Sequence, residues 1–190
     1  YGRKANAHLV AAMQARANAS GANPAYNQLL AEAQRYQEQG ADKPFLDVWF
    51  ENDMHGYVVG AYGLLLETTD GGQTWESWFD RAENPRFMNL YAIRPAAGGL
   101  YIAGEGGMVL KLDPVARRFA SVSVDYGGSL FGVADAGEAV LVFGLRGNAF
   151  RSNDGDRPAP DRRQQASSPC TRCAHGVTSR SAAKRIPEST

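Results

Sequence analysis

The chain has 190 residues, 44% of them hydrophobic, and its 20 Lys/Arg balance its 20 Asp/Glu to a formal net charge of zero. That length and apolar share suffice for a sizeable core, and the neutral balance removes a global electrostatic case for nucleic acid. No apolar run reaches transmembrane length, so direct membrane insertion is not expected.

The opening Tyr1-Gly-Arg-Lys is not followed by the apolar stretch of a signal peptide, and the chain does not begin with Met, so this terminus says nothing of localisation. Residues 1–41 read as an α-helical hairpin. A first helix over roughly 5–18 carries Leu9, Met13 and Ala17 at i, i+4, i+8 spacing. After a turn over Asn18–Asn23, Asn23 caps a second helix with Pro24 at its first position, and Gly40 ends it. Tyr26, Leu29, Leu30, Ala33 and Tyr36 recur there at helical spacing. Such a stripe packs on a neighbouring domain or receives a partner.

Residues 42–155 repeat one unit three times. Short apolar runs at Val58-Val59, Tyr101-Ile102 and Val140-Leu141-Val142 each lead into Gly-x-x-Gly, at Gly60/Gly63, Gly104/Gly107 and Gly144/Gly147. The glycines mark a tight turn, because only Gly enters positive φ without steric cost. The return strands are Leu64-Leu65-Leu66, Met108-Val109-Leu110 and Ala149-Phe150. With Leu46, Leu90 and Leu130 taken as landmarks, the period is 44 and then 40 residues. That is the range in which one repeat is one four-stranded propeller blade. Continuous apolar runs also fit sheets buried on both faces. The expected fold is therefore mainly β, a partial propeller of about three blades.

Thr68-x-Asp70-x-Gly72-x-Thr74-Trp75 matches the Asp-box of bacterial neuraminidase-type (BNR) repeats. The Asp70 carboxylate is suited to accept turn N–H groups, Gly71 and Gly72 to allow the fold-back, and Trp75 to wedge between blades. A structural role is expected for this aspartate, not acid catalysis. The motif decays to Asp113-Pro114 in the second unit and breaks off at Asp154-Gly155-Asp156 in the third.

Residues 156–190 carry seven Lys/Arg against two Asp/Glu from Arg157 onward, with few large apolar side chains. This composition predicts a disordered basic tail. It holds Cys170-Thr-Arg-Cys173-Ala-His175, where Ala174 displaces the histidine from the haem-attachment position. A structural zinc site lacks a fourth ligand nearby, so no metal is expected. Gly104-x-Gly106 falls in a hairpin turn and not ahead of a helix, so no nucleotide or other cofactor is expected either.

The stretch from Lys43 to Gly155 resembles the photosystem II stability/assembly factor-like family of BNR-repeat propellers. The residues that carry the resemblance include Lys43-Pro-Phe-Leu-Asp-Val-Trp-Phe, His55-Gly-Tyr-Val-Val-Gly-Ala-Tyr-Gly and Thr69-Asp-Gly-Gly-Gln-Thr-Trp. Asn84-Pro-Arg, Leu90-Tyr-Ala-Ile-Arg94, Ala103-Gly-Glu-Gly-Gly and Gly144-Leu-Arg-Gly-Asn-Ala-Phe-Arg-Ser152 add to it. It is most similar to a non-photosynthetic bacterial branch in which a helical segment interrupts the blades. The resemblance implies a non-enzymatic, seven-bladed, periplasmic or otherwise extracytoplasmic scaffold. Its implied partner is a protein, in assembly of a membrane complex or in an export system. Three blades fall short of the four to eight that close a ring, so a fragment of a larger propeller, marginally stable alone, is expected.

Propellers bind partners with the loops at one end. The candidate partner-binding residues are accordingly the polar groups beside the repeat turns: Arg86, Asn89, Tyr91, Arg94, Glu105, Arg146 and Asn148. Two alternatives stand beside this reading. One is a truncated propeller without native activity; the other is a sialidase-type glycoside hydrolase fragment, which would gather Arg86, Arg94 and Arg146 around a substrate carboxylate. The latter lacks a matching acid–nucleophile set.

Overall fold

In the computed structural model the described residues are 43–152, Ala159–Pro160 and scattered positions between 10 and 39. The described positions from Val10 to Gln39 are helical; the hairpin as a unit and the cysteine motif lie outside the described residues. The remainder is three four-stranded antiparallel sheets, each built from consecutive strands. The first sheet holds β1 (Phe45–Phe50), β2 (Gly56–Gly60), β3 (Leu65–Thr68) and β4 (Glu76–Ser77). The second holds β5 (Leu90–Ala96), β6 (Gly99–Gly104), β7 (Val109–Asp113) and β8 (Arg118–Val122). The third holds β9 (Leu130–Asp135), β10 (Val140–Gly144), β11 (Ala149–Ser152) and β12 (Ala159–Pro160). The tail expected from residue 156 thus contributes Ala159 and Pro160 as an edge strand, paired with Arg151 and Phe150. Proline is tolerated there because an edge strand can spare a donor.

The sheets face one another as propeller blades. The first strands β1, β5 and β9 lie side by side, and polar groups link them. The Ile93 N–H donates to Asp47 Oδ2 (2.8 Å), and the Ala97 N–H donates to Asp135 Oδ1 (3.2 Å). Two apolar layers fill the spaces between blades. Tyr57, Val59, Leu65 and Trp78 of the first blade meet Leu90, Ile93, Ile102, Leu110 and Phe119 of the second. Ala92, Tyr101, Ala103 and Val109 of the second meet Leu130, Val133, Val142 and Phe150 of the third. Each middle strand therefore sends side chains into two cores or a core and a rim, which is why its sequence runs apolar without alternation.

Pairing corrects one landmark. Gly60, Gly104 and Gly144 lie opposite Phe45, Leu90 and Leu130, and in each blade the register then skips one residue. Phe45, not Leu46, is the counterpart of Leu90. Leu46, Tyr91 and Phe131 are the skipped residues of three equivalent β-bulges. An aromatic or leucine side chain at every one of these positions makes the sequence read equally well one residue out of step.

Candidate functional site

The end of the blades that carries the repeat turns is built the same way three times. Gly60, Gly104 and Gly144 donate their N–H to the carbonyls of Leu64, Met108 and Asn148 at 2.8, 2.9 and 2.9 Å. The N–H groups of those residues return to the carbonyls of Ala61, Glu105 and Leu145. The N–H groups of Ala61, Glu105 and Leu145 in turn donate to Pro44, Asn89 and Ser129, at 3.1, 2.9 and 2.8 Å. This last bond pins each turn over the start of its own innermost strand. It also explains the first glycine of the pair: a Cβ at Gly104 would sit 2.7 Å from the Asn89 carbonyl oxygen, and Gly60 and Gly144 are closed in by Pro44 and Ser129 in the same way. The second glycine has positive φ (Gly63 74°, Gly107 80°, Gly147 70°).

Most of the expected binding residues stand at this end, but five of the seven are engaged within the fold. Asn89 accepts the Tyr62 N–H at 2.9 Å through Oδ1 and donates its side-chain amide to Glu105 Oε2 at 2.9 Å. Glu105 also accepts the Asn89 backbone N–H, so the pair stitches the first turn to the second. Asn148 donates to the Leu145 carbonyl and to the Tyr126 hydroxyl. Arg94 is not at the turn; it lies along β5 and pairs with Asp47 across the first two blades. Tyr91 packs edge-on against Phe131, ring centres 5.3 Å apart. Arg86 and Arg146 are exposed, and neither makes an ion pair among the described residues.

The Asp-box lies at the opposite end, between β3 and β4, where the Gly71 N–H reaches the Met54 carbonyl of the β1–β2 loop. Asp70 accepts from the Thr74 N–H (2.8 Å), the Thr74 hydroxyl (2.5 Å) and the Thr68 hydroxyl (2.8 Å). The Thr74 bonds first, and then Thr68, hold its carboxyl below the usual range. Thr68 Oγ1 accepts the Gly72 N–H at 2.9 Å, and Trp75 Nε1 donates to the Gly72 carbonyl at 3.1 Å. The loop is a self-contained knot of hydrogen bonds. Trp75 does not wedge between blades: it closes over Gly72 and meets Phe50 of its own blade edge-on. The wedge is Trp78, three residues later, 1% exposed against Tyr57 and Phe119.

A second cluster at this end escaped the sequence reading. Glu67, 3% exposed, takes Tyr57 Oη at 3.0 Å, His55 Nε2 at 3.0 Å and Arg117 Nη2 of the second blade at 2.9 Å. Burial and then Glu67 push the Tyr57 phenol well up. Burial pulls the His55 imidazole down, but its hydrogen bonds to Glu51 and Glu67 outweigh this and raise it. Glu67 closes an apolar run in sequence, and its arginine is 50 residues away, so only the juxtaposition of blades reveals the group.

Three consecutive four-stranded blades and a complete Asp-box define a BNR-repeat β-propeller. The sequence model of the family described as photosynthesis system II assembly factor YCF48 matches residues 27–155, and the chain belongs to that family. Photosystem II assembly lipoprotein Ycf48 of Prochlorococcus marinus is 50% identical over 52 residues, covering 26% of this chain and 15% of that protein. The chloroplastic photosystem II stability/assembly factor HCF136 of Oryza sativa subsp. japonica is 29% identical over 86 residues, 45% of this chain and 20% of its own length. Among solved structures, YCF48 bound to D1 peptide aligns at TM-score 0.51 and 23% identity, over 62% of this chain and 40% of that one. YCF48 from Cyanidioschyzon merolae gives the same TM-score at 21% identity, over 63% and 40%. The chain thus spans a minor part of the length of each of these relatives.

Proposed function

We propose that the chain is a non-enzymatic recognition scaffold that holds a segment of a protein partner against the turn end of its blades during assembly of an extracytoplasmic membrane complex, photosystem II or a counterpart. The observation that carries this is the state of the arginines. Arg94, Arg117, Arg118 and Arg81 are each matched to a carboxylate, whereas the exposed Arg86 and Arg146 at the turn end are not, among the described residues. An unmatched guanidinium presents a planar fork suited to a partner's carboxylate. A relative solved with D1 peptide supports a peptide as the bound species, and relatives described as a lipoprotein and as chloroplastic support a site outside the cytoplasm.

A hydrolytic reading has less to support it. The phenol–carboxylate pair Tyr57–Glu67 is buried, and its phenol is raised, the reverse of what a tyrosine nucleophile needs. The test is fluorescence anisotropy with labelled D1 peptide and the full chain. Arg86→Glu/Arg146→Glu is expected to weaken binding at least about tenfold, since two charge-assisted contacts become two repulsions; equal affinity in the double variant would sink the proposal.

A further inference from the structure

His55 stands between two carboxylates at the Asp-box end of the first blade. Its Nδ1 lies 2.9 Å from Glu51 Oε2, and its Nε2 lies 3.0 Å from Glu67 Oε1. A neutral imidazole carries one N–H and one lone pair, so it donates to only one of them; the imidazolium donates to both. The paired contacts are therefore the geometry of the charged ring. The titratable and charged groups that face it, among the described residues, are Glu51 from its own loop, Tyr57 of β2, Glu67 of β3 and, behind Glu67, Arg117 from the turn between β7 and β8. With the ring charged, two cations meet two carboxylates. With it neutral, one negative charge is left over.

The two ends of this chain are unequal. Glu67 is buried and also takes the Tyr57 hydroxyl and the Arg117 guanidinium. A buried carboxylate gives up a donor only at a cost, and the Tyr57 phenol, raised by burial and then by Glu67, keeps its proton and stays a donor. The Glu51 side chain is 59% exposed and can turn to water. A neutral His55 thus keeps its N–H on Glu67 and presents its lone pair to Glu51, whose carboxylate then leaves. What Glu51 helps to hold is the loop between β1 and β2. The Glu51 N–H donates to the His55 carbonyl at 2.9 Å, and Asn52 Oδ1 accepts the N–H groups of Met54 and His55. The Met54 carbonyl in turn takes the Gly71 N–H of the Asp-box at 2.8 Å.

We propose that His55 is a proton-operated clasp: its charged ring fastens the loop from Glu51 to His55 onto Glu67 at the seam of the first two blades, and loss of the proton frees that loop, and with it the Asp-box loop, while the seam stays joined. The device does not depend on the scaffold reading above. It orders the Asp-box end of the blade in an acidic compartment and loosens it in an alkaline one. Burial works against the charge, and the bonds to Glu51 and Glu67 outweigh it. The clasp is therefore closed below about pH 6.5 and opens as pH rises through the folded value, which lies above that.

The test is amide hydrogen exchange read by mass spectrometry on the full chain, at about pH 5.5 and about pH 8.5, corrected for the intrinsic pH dependence of exchange. In the parent, peptides covering residues 51–55 and 69–74 should lose protection at least about threefold at the higher pH, while β6 and β10 keep theirs. His55→Gln should abolish that difference. Glu51→Gln should abolish it in the other direction, keeping both loops protected at the higher pH, because an amide can donate to the neutral ring. An NMR titration of the parent should place the imidazole above its ordinary value. Equal protection of the parent loops at both pH values, a difference that survives in His55→Gln, or a loss in Glu51→Gln equal to the parent's overturns the clasp. So does a loss of protection shared by all three blades, which marks global unfolding, or an imidazole that titrates below its ordinary value.

Discussion

Truncating Trp78 should uncouple the first two blades, whereas truncating Trp75 should not. Trp78 is 1% exposed and lies edge-on to Tyr57 (5.2 Å) and Phe119 (6.3 Å), one ring on each side of the blade interface. Arg81 and Arg117 stand over its ring at 4.9 and 5.3 Å. A buried Trp removes roughly 200 Å² from water, which at ~25 cal/mol/Å² gives an upper figure of about 5 kcal/mol. Buried Trp→Ala changes cost about 3–5 kcal/mol. Trp75 is partly buried on one blade only, and its loss should cost about 1–2 kcal/mol. At about 4 °C per kcal/mol for a domain of roughly 100 residues, the two variants should melt at least ~4 °C apart. Trp78→Phe should recover most of the loss, because the buried Nε1 has no hydrogen-bond partner among the described residues and phenyl restores the edge-on contacts. Thermal and urea unfolding by circular dichroism measure all three. Equal losses for Trp75→Ala and Trp78→Ala would refute the assignment of Trp78 as the wedge.

The raised imidazole of His55 sets a pH dependence of known sign. A group whose folded value lies above its unfolded one adds stability that is full below about pH 6.5 and fades as pH rises through the folded value. His55→Gln should therefore flatten the alkaline slope of melting temperature, which a pH series of melts and an NMR titration of the imidazole would check; an unchanged slope would count against the Glu51–His55–Glu67 chain. At the turn end, a Cβ at Gly107 would overlap the Tyr126 carbonyl oxygen at φ 80°, whereas one at Gly98 meets nothing within 4 Å at φ 71°. Gly107→Ala should then destabilise by about 3 kcal/mol, combining overpacking with left-handed strain, and Gly98→Ala by about 1 kcal/mol from strain alone. Denaturant melts of the pair decide it, and similar losses would show that the Tyr126 backbone yields.

The blades were legible because their turns are written in glycine. Gly60-x-x-Gly63 and its two copies serve a hydrogen-bond pattern that admits little else at either glycine, so spacing alone located the middle strands. Side-chain roles were less legible, for two reasons. A β-bulge at Leu46, Tyr91 and Phe131 blurs register by one residue, and side chains near a motif are not told apart by their partners. Trp75 and Trp78 differ only in which face of a two-residue strand, Glu76–Ser77, they flank. Asn89, Glu105 and Asn148 look like turn-end binding groups until the folded turn end supplies Tyr62, Asn89 and Tyr126 to them.

Every strand of each sheet comes from one contiguous stretch of chain, in the order β1-β2-β3-β4 and its two counterparts. Pairing partners are thus never far apart in sequence, and the loops closed during pairing stay short. A nascent chain can complete one sheet before the next has been synthesised, leaving only side-chain docking to join them. The same wiring makes the blade the natural unit of gene duplication: one can be gained or lost between strands without any remaining sheet having to exchange a strand.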